Sequence, residues 1–306
     1  MRSLTSLAVI LASAAALTSC ANTQEEAKIT NCGHPVNLQK APERVTLLAP
    51  HSVNTLAALG VLDKVTAKAG KYPEQLYSPE TNAQLAKVPT LTDELDPSGH
   101  LNIGREEVVA TNPDLVIGYT DQVTPQTMGN TPVVTEPVFC EGAHDPASWD
   151  SVTQEVELYG QIFDREDKAR EVNEQIKQQV AQIKKVDRPL KVAVLYPSVG
   201  GGVTYAYGSA SMATPVVETA GLDNVFGDVN ERVFEVSAEQ IVAKQPDVIV
   251  ALYQSGDPVE SVRALPGAET IPAVQNDKIM ALPMNYAEPP GPLAVEGARR
   301  VAEFAR

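Results

Sequence analysis

Tyrosine is the residue most concentrated where a ligand could be held. The chain has nine, and Tyr72, Tyr119, Tyr196, Tyr205, Tyr207, Tyr253 and Tyr286 all fall in or beside loops that follow β-type runs. A tyrosine offers a rigid apolar face and a hydroxyl at low entropic cost, which suits a large, partly polar ligand. The alternative use of any one of them is to plug a strand end. Two histidines, His51 and His100, share first-half loops with Ser52 and with Ser98-Gly99. A histidine–tyrosine pair across a cleft could ligate haem iron. Ser52 beside His51 would be the minimal nucleophile and base of a hydrolase, but no G-x-S-x-G or metal-hydrolase spacing accompanies it. Nor does the spacing of His, Asp and Glu define a zinc site, so no metal ligand set and no resident cofactor is expected. Gly200-Gly201-Gly202 lacks the Gly-Lys-Ser/Thr of a phosphate loop. The run Val203-Thr204-Tyr205-Ala206-Tyr207 after it reads as a strand, so the glycines mark a turn bordering the ligand loops.

The elements that must position these loops come in two copies. Residues 106–117 read EEVVATNPDLVI and residues 239–250 read EQIVAKQPDVIV. Each copy opens on a glutamate, makes one helical turn of Val/Ile and Ala, stops at Pro-Asp and enters a β-branched run. The proline removes the preceding Asn112 or Gln245 from the helical region, which ends the helix there. The openings of the halves match too: RVTLLAPH at 44–51 parallels KVAVLYPS at 191–198, and helices closed by Gly60 and Gly221 follow. Each half is thus a strand–helix–strand unit of an α/β protein, with ligand loops beyond the carboxyl ends of the strands. Between them, apolar residues at Val152, Val156, Tyr159, Phe163, Val172, Ile176, Val180 and Ile183 give one long helical pattern. Asp145-Pro146 reads as its cap and Asp164 as a second cap, so a bend or break is expected near 164 in an otherwise stiff interlobe spine.

The chain's beginning addresses its compartment. Arg2 precedes an apolar run, LAVILASAAAL at 7–17, which is of signal-peptide length and falls short of the about 20 residues that span a bilayer. It ends in Leu17-Thr18-Ser19-Cys20, which resembles the lipobox of bacterial lipoproteins; that likeness implies cleavage before Cys20 and a diacylglycerol anchor on its thiol. The polar stretch 21–27 then serves as a tether. With Cys20 lipidated, Cys32 and Cys140 are left as an even pair in an oxidising compartment, and a disulfide between them is expected; two free thiols are the alternative. In the chain-entropy model such a bridge stabilises by about 4 to 5 kcal/mol. The 306 residues suffice for two domains, and a net charge of −15 argues against binding nucleic acid or an anionic membrane surface.

Two α/β lobes, an interlobe helix, a lipobox and the paired E-x-[VI]-V-A-x-x-P-D-[LV]-[VI]-[IV] segments together resemble one family over residues 32–306. It is the periplasmic or lipoprotein binding proteins of siderophore and cobalamin ABC importers. The resemblance implies a signal peptide at 1–19, an anchor and tether at 20–31, an N-terminal lobe at 32–147, an interlobe helix at 148–188 and a C-terminal lobe at 189–306. It further implies a monomer with parallel-rich sheets flanked by helices, a shallow ligand cleft between lobes that move little, and a place on the outer face of the cytoplasmic membrane. Cargo would be a ferric siderophore or similar chelate, with haem or cobalamin as alternatives. Glu106 and Glu239, at matching places in the repeat, would dock on the two-fold permease, with Glu107 a competitor for the first position. The candidate loops carry few cations, namely Lys68, Lys71, Arg105 and Arg232, which favours a neutral or weakly charged chelate such as a ferric hydroxamate. The cysteine pair also resembles an actinobacterial branch with varied cargo, including deazaflavin precursors.

Overall fold

The computed structural model describes residues 29–95, 101–140, 142, 145–198 and 202–306. The repeat becomes two sheets. In the first half, β3 (Val45–Leu47), β4 (Val65–Lys68), β5 (Leu115–Ile117) and β6 (Val133–Val134) form a wholly parallel sheet of order β4-β3-β5-β6. A short hairpin of β1 (Thr30–Asn31) and β2 (His34–Pro35) precedes it, and α1 (Val53–Ala58), α2 (Pro79–Leu85) and α3 (Arg105–Ala110) make the connections. In the second half, β7 (Leu190–Pro197), β8 (Thr204–Tyr207), β9 (Leu222–Asn224), β10 (Val233–Val236), β11 (Val248–Tyr253) and β12 (Ile279–Pro283) form a mixed sheet of order β10-β8-β7-β11-β12. There β7, β9, β11 and β12 pair in parallel, β8 is antiparallel to β7 and β10, and β9 shares an edge of β7 with β8.

The β-branched runs are apolar throughout because both faces of these strands are covered. Along β11, Val248, Val250 and Leu252 enter one core while Ile249 and Ala251 enter another. Leu115 and Ile117 of β5 likewise part from Val116, as a side-chain period of two requires. The Pro-Asp of each repeat does the same work in both halves. The Asp114 carboxylate accepts from Arg44 N at 2.8 Å and the Asp247 carboxylate from Lys191 N at 2.9 Å, each fixing the start of the neighbouring strand. Asn112 and Gln245, just before the prolines, do leave the helix, but into the left-handed region at φ 51° and 48° rather than into an extended one. Gly60 and Gly221 close their helices at φ 72° and 88°, as expected.

The interlobe segment departs from a single stiff spine. It is two helices, α4 (Trp149–Ile162) and α5 (Glu166–Ala181). The chain breaks where expected, with Asp164 at φ 53°, and then folds back. Asn173 of α5 donates to Thr153 O of α4 at 3.1 Å, and Gly160 lies so close to Ala169 that an added Cβ would stand 2.6 Å from it. Two amphipathic stripes facing each other bury more apolar surface than one straight rod, which is the physical reason for the reversal. The first helix is capped by Ser148, whose side chain accepts from Asp150 N, and not by Asp145; no side chain caps the second. One continuous core runs from β3 and β5 through α4 and α5 to β7, β11 and α10 (Leu293–Ala305). The helices α6 (Ala213–Thr219), α7 (Ala238–Lys244), α8 (Pro258–Arg263) and α9 (Pro272–Gln275) complete the second lobe.

Candidate functional site

The loops at the carboxyl ends of the strands converge on a cleft between the lobes, about 610 Å³ in volume. Its first wall follows β3 at Leu48 to His51, β5 at Gly118 to Gln122 and β6 at Glu136 and Phe139. The second wall follows β8 at Tyr207, enters β10 at Arg232 and Val233, and continues at Tyr253 and Gln254, Met284 and Asn285, and Glu288. The cleft therefore lies beyond the strand ends, where the doubled α/β pattern puts it.

The structure divides the expected ligand residues into two groups. His51, Tyr119, Tyr207 and Tyr253 line the cleft. Tyr119 is half-exposed at the rim, whereas Tyr207 is buried, and burial holds its hydroxyl well above the usual phenol range. The other four tyrosines work elsewhere. Tyr72 donates to Leu47 O at 3.1 Å and Ala69 O at 3.0 Å and so plugs two strand ends. Tyr196 and Tyr205 sit opposite each other in the β7–β8 ladder. Tyr286 is buried under the Arg300 guanidinium, 4.4 Å from its ring, and donates to Gln75 O of the first lobe at 3.3 Å, a clasp between lobes. Ser52 is sealed from solvent and engages Glu136 Oε1 at 3.0 Å and Tyr159 Oη at 2.9 Å. It forms no hydrogen bond to His51, so the nucleophile–base pairing that a hydrolase would need is not made. His100 and Cys20 lie outside the described residues, as do Gly200 and Gly201. Among the described residues no group of three or more His, Cys, Asp or Glu is arranged to hold a metal ion.

Charge is unevenly distributed across the cleft. Arg232 of the second lobe reaches over to the first, its guanidinium 5.1 Å from the Phe139 ring centroid, while pairing with Glu288 Oε2 at 3.4 Å. Glu288 is 2% exposed and also accepts from Met212 N at 3.0 Å; burial lifts its carboxyl above the usual range despite both donors. The rings of His51 and Tyr119 lie 6.0 Å and 6.2 Å from that of Phe139, each tilted by 53° to it. Burial lowers the His51 pKa, against the pull of Glu136 and with the help of Arg232, and its Nδ1 is buried without a partner. Behind the wall, burial pushes the Glu155 carboxyl well above its ordinary range, and the nearby Glu136 charge adds to this.

Glu136, Phe139 and Glu288 are among the cleft residues that sequence reasoning passed over, and a signal for two of them was present. The dipeptide Glu-Pro occurs twice in the chain, at 136–137 and 288–289. Each copy follows the strand that flanks the Pro-Asp strand, β6 beside β5 and β12 beside β11. The repeat therefore extends further than its helices, and it delivers one buried glutamate to each wall.

The wall carrying Glu136 and Phe139 is held from behind. Asn31 donates to Thr135 O at 2.8 Å and accepts from Thr135 N at 2.8 Å. Cys32 and Cys140 form the expected disulfide, Cα atoms 5.0 Å apart across 108 residues of sequence. Glu106 and Glu239 occupy the second position of α3 and α7, both exposed. Glu107 is otherwise occupied, its Oε1 accepting from Gly104 N at 3.4 Å at the helix start.

This geometry has relatives. Residues 45–286 match the periplasmic binding protein family. The chain belongs to that family. It is similar, at 45% identity and a TM-score of 0.84, to a crystal structure described as an ABC-type Fe3+-hydroxamate transport system from Saccharomonospora viridis, with 90% of this chain and 98% of that one covered. It is 22% identical over 274 residues to an uncharacterised ABC transporter substrate-binding lipoprotein, YvrC, of Bacillus subtilis, covering 88% of this chain and 81% of the relative. A vitamin B12-binding protein of Yersinia pestis is 23% identical over 213 residues, 69% of this chain and 70% of that one. The two-lobed periplasmic binding fold expected from the doubled pattern is thus the family's own, and no described helix is long and apolar enough to cross a membrane.

Proposed function

We propose that this member of the family captures a ferric chelate, of the hydroxamate class, in the interlobe cleft and delivers it to an ABC permease. The observation that carries the reading is the cleft's composition. It pairs aromatic and apolar faces with three carboxylates, Asp121, Glu136 and Glu288, against two cations, Lys71 and an Arg232 already engaged by Glu288, an arrangement poorly suited to a multiply anionic catecholate and compatible with a neutral or weakly charged chelate. The likeness to the hydroxamate-system structure, the only comparison given above that exceeds 25% identity, supports the same class. Capture proceeds without chemistry: the ligand displaces water between walls already built, so the affinity comes from preorganisation rather than from closure. Export with a lipid anchor on Cys20, a tether over 20–31 and docking through Glu106 and Glu239 complete the reading.

The test is intrinsic fluorescence of the soluble form, residues 21–306, titrated with ferrioxamine, a ferric catecholate, cobalamin and haem. Saturable quenching by ferrioxamine in the micromolar range or tighter, with none by the catecholate, is the expected result. Preference for cobalamin or haem would move the assignment to those ligands, and failure of all four with a folded protein would remove iron chelates altogether.

A further inference from the structure

Glu136 lines the cleft, yet only 2% of its surface is exposed. Among the described residues its carboxylate receives one hydrogen bond, from Ser52 to Oε1, and no cation lies within ion-pair distance of it; Arg232 pairs with Glu288 instead. Among the described residues Oε2 has no hydrogen-bond partner. A buried carboxylate without a counter-charge is costly unless something else supplies one. The Ser52 bond does not account for the charge, because a neutral glutamine oxygen would accept it equally well. Three residues along the chain, Phe139 presents a ring that already attracts a cation, the Arg232 guanidinium, with the rings of His51 and Tyr119 close by. An unmatched carboxylate beside aromatic faces is the combination that recognises ammonium groups.

We propose that Glu136 and Phe139 form a subsite for a protonated amine carried by the ligand. This deepens the ferric-hydroxamate reading and rests on it for the rest of the ligand. The chelate's iron-binding portion fills the main cleft, while its amine replaces the missing counter-charge of Glu136. The subsite makes the protein discriminate between chelates of identical iron coordination that differ only in a charged arm. A chain with a net charge of −15 would also favour the approach of such a cation.

The test compares ferrioxamine B, a linear trihydroxamate chelate with a free terminal ammonium, with its N-acetyl derivative, which keeps the coordination sphere and loses the charge. Wild type is expected to bind the ammonium form at least about tenfold more tightly, the size of one charge-assisted hydrogen bond. Glu136→Gln should erase the difference by weakening the ammonium form alone, and Phe139→Leu should reduce it. Equal affinities in wild type, or a difference that survives Glu136→Gln, would overturn the subsite. If neither chelate binds, the hydroxamate reading falls and n-pentylammonium decides the subsite by NMR titration. Saturable shifts that Glu136→Gln abolishes would keep it, and their absence would end it.

Discussion

Glu155 sits in the first lobe's contact with α4, where Thr55 donates to Oε2 at 3.0 Å and Oε1 has no partner. Burial, and secondarily the charge of Glu136, keeps this carboxyl protonated far above the ordinary 4.5. An unfolded chain releases that proton near 4.5, so between there and the raised folded pKa the native state holds more protons than the unfolded one. Stability from this group is therefore full in acid and declines as pH rises, by at most about 1.4 kcal/mol per pH unit for one proton. Glu155→Gln, which cannot ionise, is expected to raise the melting temperature at pH 7 to 8 and to change it little at pH 4. A variant destabilised equally at both values would show that the carboxyl is held by something other than its burial. His51 adds the opposite slope: burial lowers its pKa, so its contribution is lost as pH falls through 6.5, where the unfolded imidazole takes up a proton.

At the scale of elements, the hairpin of β1 and β2 braces a wall of the cleft although none of its own residues lines it. Asn31 and the Cys32–Cys140 bridge together fix the segment 135–140, which carries both Glu136 and Phe139. A purely structural staple would lower stability and leave affinity alone in a folded protein. The double variant Cys32→Ser, Cys140→Ser, assayed well below its melting temperature, is expected instead to bind ferrioxamine roughly three- to tenfold more weakly, since loosening a preorganised wall moves its cost into binding. Asn31→Ala should act in the same direction with a smaller drop in melting temperature. Unchanged affinity in both would reduce the hairpin to a structural staple. The disulfide and the strands were legible in the chain because parity and β-branched runs above Pro-Asp are local signals. The loop tyrosines were half legible: position beyond a strand end predicts a plug such as Tyr72 as readily as a cleft-lining face such as Tyr119, and the choice depends on which carbonyls lie nearby in space. The fold-back of α4 on α5 was visible only as a break at Asp164, because the direction taken after a break is set by which apolar stripes can meet.

For the whole molecule, the continuous core through both lobes, the Tyr286–Gln75 clasp and the Arg232–Phe139 contact resist large opening. A permease must then recognise the pair of lobes as a nearly fixed body, and its contacts have to lie where the two halves are equivalent. Glu106 and Glu239 meet that condition: the repeat puts each at the second position of its helix, one residue after Arg105 or Ala238, before the helix runs into a Pro-Asp strand. Both side chains are exposed and neither lines the cleft. The Glu106→Ala, Glu239→Ala protein is thus expected to bind its chelate with an affinity within about twofold of wild type, as exposed sites without shared partners act independently. Uptake by cells or by permease-containing vesicles should be abolished, and binding of the wild type to the permease should weaken as salt rises, the mark of exposed charge pairs. Glu107→Ala is the control that separates docking from helix capping. Because Glu107 serves Gly104 N, its loss should lower the melting temperature slightly and leave uptake intact. Uptake that persists in the double variant, or that fails only with Glu107→Ala, would take the docking role away from the repeat's paired glutamates and place it on a surface the two halves do not share.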